Sequence, residues 1–562
     1  MQKLRQHPIL ILLVANLIIG LTTFRSYGLA WDEPLFYDYG EALKYAYTPS
    51  NWVSGEFDVA QSFGSSGSDH ANRGPAYLLV ALPLLSFLKP LGLDSASAWH
   101  LVNFLTFTLG VYLLYRLASK WMKKESALAA AALFAFQPLL WGHAFINPKD
   151  IPFLTFFLGS IVFGFEMIDA WKANLQSINL PIYQPFGVAQ GKLPVTNLLL
   201  ASFFLGIATS IRILAPFAGI LVALYALVQG VKLRDIFKYP LIWLYAVLSL
   251  VIMFATWPYL WLDPLKKFVE VFVFMSDNPT QLNVLFAGHN YQAGEVPRRY
   301  FPVLLAYTLT EPTYFLIAFG VLRSLWNSNS KQRLTLAILL AWFAVPVAYI
   351  LLRRPAMYDG YRHFLFILPP LFIFVGFAFE FLFDWLEQRL QKPRTLSSAL
   401  ENAGYALRPE RQSPYKNTDS TQRWKLAFAL CVLAFGIIPL VQLHPYQYAY
   451  YNSFAGGVGG AFRNYETEYW LTCYRESVLV LNQLAEPGAQ LFVRREPYIA
   501  AYYADSDIAI RDFRTEGKEI QSGDYYLVNT RSNEDLKFLR DQPAVIEVSR
   551  LGAVFCVVKQ VP

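Results

Sequence analysis

The chain has 562 residues, 55% of them hydrophobic, 17% aromatic and only 15% charged, and its mean hydropathy is +0.33. That balance excludes an ordinary soluble globular domain and describes a chain that lives mostly in lipid. The net charge of +7 and the pI near 9.0 do not indicate nucleic acid, because the basic residues are scattered over loops and form no patch with base-stacking aromatics.

Stretches able to cross a hydrocarbon core of about 30 Å, roughly 20 residues each, occur at 8–25, 98–118, 126–146, 151–169, 195–211, 213–230, 239–257, 301–322, 334–352, 361–384 and 424–443, eleven expected spans. Lys3 and Arg5 precede the first as in a signal peptide, but no small-residue cleavage site follows, so it is expected to stay as a helix. The apolar run 76–92 is short and carries Pro83; it is expected to lie in the outer interface.

Basic loops with Lys120, Lys123 and Lys124, then Lys232, Arg234 and Lys238, then Arg323, Lys331 and Arg333, alternate with poorly charged ones and mark the cytoplasmic side. Residues 385–423, with Arg389, Lys392, Arg394, Arg408, Arg411, Lys416 and Arg423, read as a cytoplasmic loop near anionic lipid. Residues 26–97, 258–300 and everything beyond about 444 then face outward across a plasma (inner) membrane. The expected organisation is a polytopic α-helical domain over 1–443 and an outer α+β domain over 444–562, with strands at 490–494, 524–528 and 552–558 and a helix near 474–485. Three cysteines are too few for a disulfide framework; a single Cys473–Cys556 bridge stays open.

The chemistry gathers on the outer loops. Asp32 and Glu33, in Trp31-Asp32-Glu33-Pro34, follow the first span, and Asp150, in Asn147-Pro148-Lys149-Asp150, lies in the turn between the third and fourth. Loop carboxylates brought together supply a base or oxygen ligands for a divalent cation. Arg73, Arg212, and Arg362 with His363 lie on the same face, and arginine at membrane depth is costly unless paired or in a wet cavity. Phosphate is a suitable partner for guanidinium. Carboxylates with arginines at an outer face fit transfer of a sugar from a lipid-linked phosphate to a hydroxyl or amine. Gly456-Gly457-Val458-Gly459-Gly460 follows no strand of a βαβ unit and reads as a hinge rather than a nucleotide loop. Arg463, Glu466, Glu468, Tyr469 and Trp470 after it are candidates to clamp an acceptor.

Trp31-Asp32-Glu33-Pro34, Asn147-Pro148-Lys149-Asp150-Ile151-Pro152-Phe153, the run Tyr358-Asp359-Gly360-Tyr361-Arg362-His363, and His444-Pro445-Tyr446-Gln447-Tyr448 together resemble the GT-C glycosyltransferases of the polyprenyl-phosphate-mannose protein mannosyltransferase and aminoarabinose transferase (ArnT-like) type. The resemblance implies about eleven transmembrane helices, a polyprenyl-phosphate sugar donor, and a lipid, glycan or protein acceptor. It implies Asp32 as base, with Glu33 and Asp150 in the catalytic set, and Arg73, Lys149, Arg212, Arg362 and His363 around the donor phosphate. Tyr358, Asp359 and Tyr446 are then acceptor or sugar contacts. A divalent metal (Mg, Mn or Zn) held by Asp32 and Asp150 is the cofactor implied. The aminoarabinose transferases carry Glu-Lys-Pro-Pro where this chain has Asn72-Arg73-Gly74-Pro75, so the acidic ligand expected at 72 is missing; Glu33 or Asp69 substitutes, or the metal is dispensable. The rival class is a transporter or lipid-linked sugar flippase, against which stand the lack of paired inverted halves and of charges deep in mid-span.

Overall fold

The structure, a computed structural model, describes residues 7–65, 71–177, 194–276, 281–391 and 415–562. Asp69 and most of the expected cytoplasmic loop 385–423 lie outside them. The helical part is built around α1 (Asp150–Ser177), whose 28 residues rise about 42 Å. It is surrounded by Ser95–Ala118, Val195–Ile211 and Pro216–Val228, so that 94% of its apolar window is buried. A helix apolar on all sides needs such a central position.

Among the described residues six helices are long and apolar enough to cross a membrane, or seven when one bent pair counts as a single span, against the eleven expected. Two expected spans are broken. Residues 126–146 divide into Lys124–Ala135 and Pro138–His143, because Pro138 forces Gln137 out of the helical region, to ψ 120°. Residues 301–322 divide into Tyr300–Thr308 and Glu311–Asn327, bent by 107° where Leu309 and Thr310 are extended. The expected spans at 195–211, 213–230 and 239–257 are helices of 17, 13 and 16 residues, which rise only about 20–26 Å. Ala76–Leu88 is the short helix expected around Pro83.

The two ends of α1 differ in charge. At its carboxyl end Arg116 pairs with Glu166 and Lys120 with Asp169, while nearby Lys123 pairs with Asp384, all at 2.6 Å. Asp150 stands at the amino end, about 28 Å of helix rise from Asp169, close to the thickness of a hydrocarbon core.

Beyond the helix Tyr415–Gln442, the chain forms a five-stranded sheet from β3 (Gln490–Val493), β4 (Ala509–Asp512), β5 (Tyr525–Asn529), β6 (Ala544–Arg550) and β7 (Ala553–Gln560), in the order β4-β3-β5-β7-β6. β3 runs parallel to β4 and β5, and the β5–β7 and β7–β6 pairs are antiparallel. Three strands and the helix Cys473–Leu484 match the hydrophobic runs of the sequence. β4 and β6 did not stand out, being polar-interrupted edge strands, nor did the hairpin β1 (Asn283–Phe286) with β2 (His289–Gln292). Cys473 and Cys556 are bonded, tying that helix to β7.

The C-terminal domain docks through main-chain contacts. Gly142 allows the helix Pro138–His143 to meet residues 447–448 backbone to backbone, since a Cβ there would fall 2.1 Å from the Tyr448 nitrogen. The Trp31 N–H donates to the Trp470 carbonyl (3.1 Å) and the Tyr498 hydroxyl to the Trp31 carbonyl (2.6 Å).

Candidate active site

Those contacts hold the loop that carries Asp32. The next helix, Glu33–Leu43, starts immediately after it and turns the two adjacent carboxylates in different directions. Glu33 is fully buried and accepts from the Ala30 N–H and the Tyr37 hydroxyl, each at 2.7 Å, with His100 Nε2 at 3.2 Å. It fastens the loop to the helix Ser95–Ala118, and the structure does not bring it to the other expected catalytic groups. Asp32 points the other way.

Asp150 is delivered by its own motif. Asn147, in the left-handed region, accepts from the Lys149 and Asp150 N–H groups, so Asn147-Pro148-Lys149 forms the turn that begins α1. Arg212 arrives at the carboxyl end of Val195–Ile211, against which Gly74 lies so closely that a Cβ would fall 1.2 Å from the Ser210 carbonyl. The glycine after Arg73 is thus a steric requirement. Asp359 and Gly360, both with positive φ, reverse the chain so that Asp359 and Arg362 face each other.

Arg362 is the hub. Its Nη1 lies 3.1 Å from Asp150 Oδ2, and its Nη2 lies 3.1 Å from Asp359 Oδ2 and 3.8 Å from Asp32 Oδ2. Its guanidinium rests over the Trp470 ring at 4.4 Å. Arg212 Nη2 takes the other oxygen of Asp150. On the far side Arg531, which sequence reading missed, lies 2.7 Å from Asp359 Oδ1 and 3.5 Å from Glu466 Oε1. It comes from the polar run Asn529-Thr530-Arg531-Ser532-Asn533 at the carboxyl end of β5, a loop signal whose target only the docked domain reveals.

Of the four carboxylates, Asp32 has 20% of its side chain exposed, whereas Asp150, Asp359 and Glu466 have 4% or less. Among the described residues the Asp32 carboxylate accepts no hydrogen bond, so its lone pairs stay available. Lys149 sits with Arg212 and Arg73, and burial first and then those two guanidiniums hold its ammonium pKa well below the ordinary value. Neither Lys149 nor Arg73 has a carboxylate ion partner among the described residues. His363 packs edge-on to Tyr358 (ring centroids 4.9 Å apart), and burial followed by Arg362 lowers its pKa, so the ring stays neutral. Tyr358 also lies 5.3 Å from Arg362.

The remaining expected residues separate. Tyr446 is buried in the C-terminal domain, donates to Glu476 at 2.9 Å and packs on Phe555, away from the cluster. Of the anticipated clamp, Glu466, Tyr469 and Trp470 reach the site. Arg463 pairs with Asp535, and Glu468 accepts from Tyr448 and the Leu471 and Thr472 N–H groups. Burial pushes the Glu466 carboxyl up to about 7 against the opposing pull of Arg531, and it raises Asp359 too.

The donor set does not fit a tightly held divalent cation. Both Asp150 oxygens are taken by guanidiniums, Asp32 has Arg362 as its neighbour, and no group of three His, Cys, Asp or Glu among the described residues is arranged around a cation position. The arrangement suits an anion: fixed positive charge surrounds one accessible carboxylate.

No protein-family model matches this chain, and no curated protein matches it in sequence. Among solved structures it is similar to ArnT from Cupriavidus metallidurans in the apo state (TM-score 0.47, 14% identity, covering 98% of this chain and 97% of that one). It is similar to the same protein bound to undecaprenyl phosphate (TM-score 0.47, 13% identity, again 98% and 97%). Arabinofuranosyltransferase AftD from Mycobacteria follows at TM-score 0.40 and 11% identity, covering 98% of this chain and 41% of that one.

Proposed function

We propose that this chain is a membrane glycosyltransferase of GT-C type that moves a sugar from a polyprenyl-phosphate donor to an acceptor hydroxyl or amine at the outer face of the plasma membrane. The observation that carries the reading is the pairing of one accessible carboxylate, Asp32, which accepts no hydrogen bond among the described residues, with the basic groups Lys149 and Arg73 beside Arg212, neither of which has a carboxylate ion partner among those residues. Asp32 takes the acceptor's proton as its oxygen or nitrogen bonds to the anomeric carbon. The carbon–oxygen bond to phosphate breaks, and its electron pair leaves on the phosphate, whose growing charge the cations stabilise. A single displacement of this kind inverts the anomeric configuration. Asp150 holds Arg212 and Arg362 in position. A lipid-borne donor gives a reason for so many apolar helices around a charged site. The outer-face orientation is supported by the separation of the cluster from Lys120 and Lys123, about one hydrocarbon thickness along α1.

The test is transfer of labelled sugar from polyprenyl-phosphate donors to extracted envelope acceptors, in membranes with the wild-type chain or Asp32→Asn at matched expression. Loss of a general base costs about 100- to 10,000-fold. Equal transfer in the two would remove Asp32 from the chemistry, and no transfer above empty membranes in either would bring the flippase forward.

A further inference from the structure

The Asp32 carboxylate accepts no hydrogen bond among the described residues, and its contact with Arg362 is long, at 3.8 Å. Donors on its oxygens would hold it in place but would also lower its basicity. A carboxylate left free to take a proton has to be aimed through its main chain instead, and the main chain before Asp32 is held from another domain. A Cβ on Gly28 would fall 2.1 Å from the Thr472 carbonyl oxygen, so the loop lies directly against the C-terminal domain. The Leu29 N–H donates to the Tyr503 hydroxyl (2.9 Å), and the Tyr498 hydroxyl donates to the Trp31 carbonyl (2.6 Å). That carbonyl belongs to the planar peptide joining Trp31 to Asp32, so fixing its direction fixes where the Asp32 side chain begins.

Both tyrosines come from one short helix, Pro497–Tyr503, which follows β3. Glu496, at φ 45°, turns the chain, and Pro497 starts the helix. Ile499 and Ala500 are fully buried and anchor it, while the hydroxyls of Tyr498, Tyr502 and Tyr503 reach the helical part. Tyr502 binds elsewhere on that part: its hydroxyl donates to Asp94 (3.1 Å) and accepts from the Ala96 N–H (3.3 Å), at the start of the helix Ser95–Ala118. We propose that Tyr498 and Tyr503 are positioning residues through which the C-terminal domain aims Asp32 at the acceptor. The inference rests on the reading of Asp32 as the base. Simple adhesion between domains would give the three hydroxyls equal weight, since all cross the same boundary; positioning separates Tyr498 and Tyr503 from Tyr502.

The test compares Tyr498→Phe, Tyr503→Phe and Tyr502→Phe in the purified full-length chain, each variant losing one hydroxyl and keeping its ring. In the labelled-sugar assay the first two lower kcat about tenfold or more with donor KM held within about twofold, because a misaimed base slows the chemistry without weakening the donor. Tyr502→Phe keeps kcat within about twofold. Hydrogen–deuterium exchange over residues 27–33 reads the loop independently of chemistry, and it speeds up about fivefold or more in Tyr503→Phe, which frees the Leu29 amide. Equal kcat losses in all three variants, losses carried by donor KM, or exchange that does not change in Tyr503→Phe would overturn the proposal. Transfer abolished by Asp32→Asn but untouched by Tyr498→Phe and Tyr503→Phe would sink this inference alone. Full transfer by Asp32→Asn would remove the base itself, and the positioning role with it.

Discussion

The two ends of α1 carry the same residue types and use them differently. At the carboxyl end Lys123 pairs with Asp384 with side chains 57% and 39% exposed, and each charge keeps water as an alternative partner. At the amino end Arg362 and its buried partners Asp150 and Asp359 are 4% exposed or less, so each charge depends on the others. Exposed pairs are worth little, whereas a buried charge deprived of its partner is severely destabilising. Charge at one end informs about orientation, and at the other it builds a site.

Substitutions that treat both ends alike break that comparison most directly. After the loss of transfer expected for Asp32→Asn, the largest effect is that of Arg362→Gln, which takes from Asp150 and Asp359 one of the two guanidiniums each has, leaving only Arg212 and Arg531, and lowers stability by about 3 kcal/mol, measured by thermal unfolding in detergent. A loss below about 1 kcal/mol would mean that water reaches this end as freely as the other.

The pH dependence sharpens the contrast. In the folded chain the Glu466 carboxyl is raised from 4.5 to about 7, chiefly by burial. Its contribution to stability is therefore complete below pH 4.5 and is lost as pH rises to about 7. The decline amounts to up to about 3 kcal/mol, and Glu466→Gln flattens it. Unfolding temperatures from pH 4.5 to 8 that run parallel in the two proteins would contradict the assignment.

Lys149→Gln raises the donor KM about 10- to 100-fold, the worth of one charge-assisted phosphate contact. It leaves thermal stability unreduced, because among the described residues Lys149 has no carboxylate ion partner to abandon. Lys123→Gln, at the opposite end, shifts stability within about 0.5 kcal/mol. A larger shift there would place structural weight on the pairs at the carboxyl end of α1.

Much of this site was legible because acidic and basic residues stand out in a chain that is 15% charged. Asp32, Asp150, Arg212 and Arg362 drew notice by that contrast, and Asn147-Pro148 announced the turn that presents Asp150. Glu33 and Asp32 could not be told apart from their neighbours; the helix starting at Glu33 sends one to His100 and the other to the site. Tyr446 shared its motif with other aromatic residues, yet its hydroxyl is drawn to Glu476. Arg531 lies nearly 500 residues beyond Asp32 in sequence, on another domain.

Composition and run length by themselves determined that the chain is polytopic, that its carboxylates and arginines cluster beside apolar spans, and that a small α+β domain ends it, because lipid and water impose opposite demands on local sequence. Which helices cross in one piece, which carboxylate stays accessible, and the meeting of Arg531 and Glu466 with Asp359 were decided only by tertiary structure. Those outcomes depend on proline-broken helices, on backbone contacts such as Gly74 against Ser210, and on the docking of the C-terminal domain, none of which a local pattern encodes.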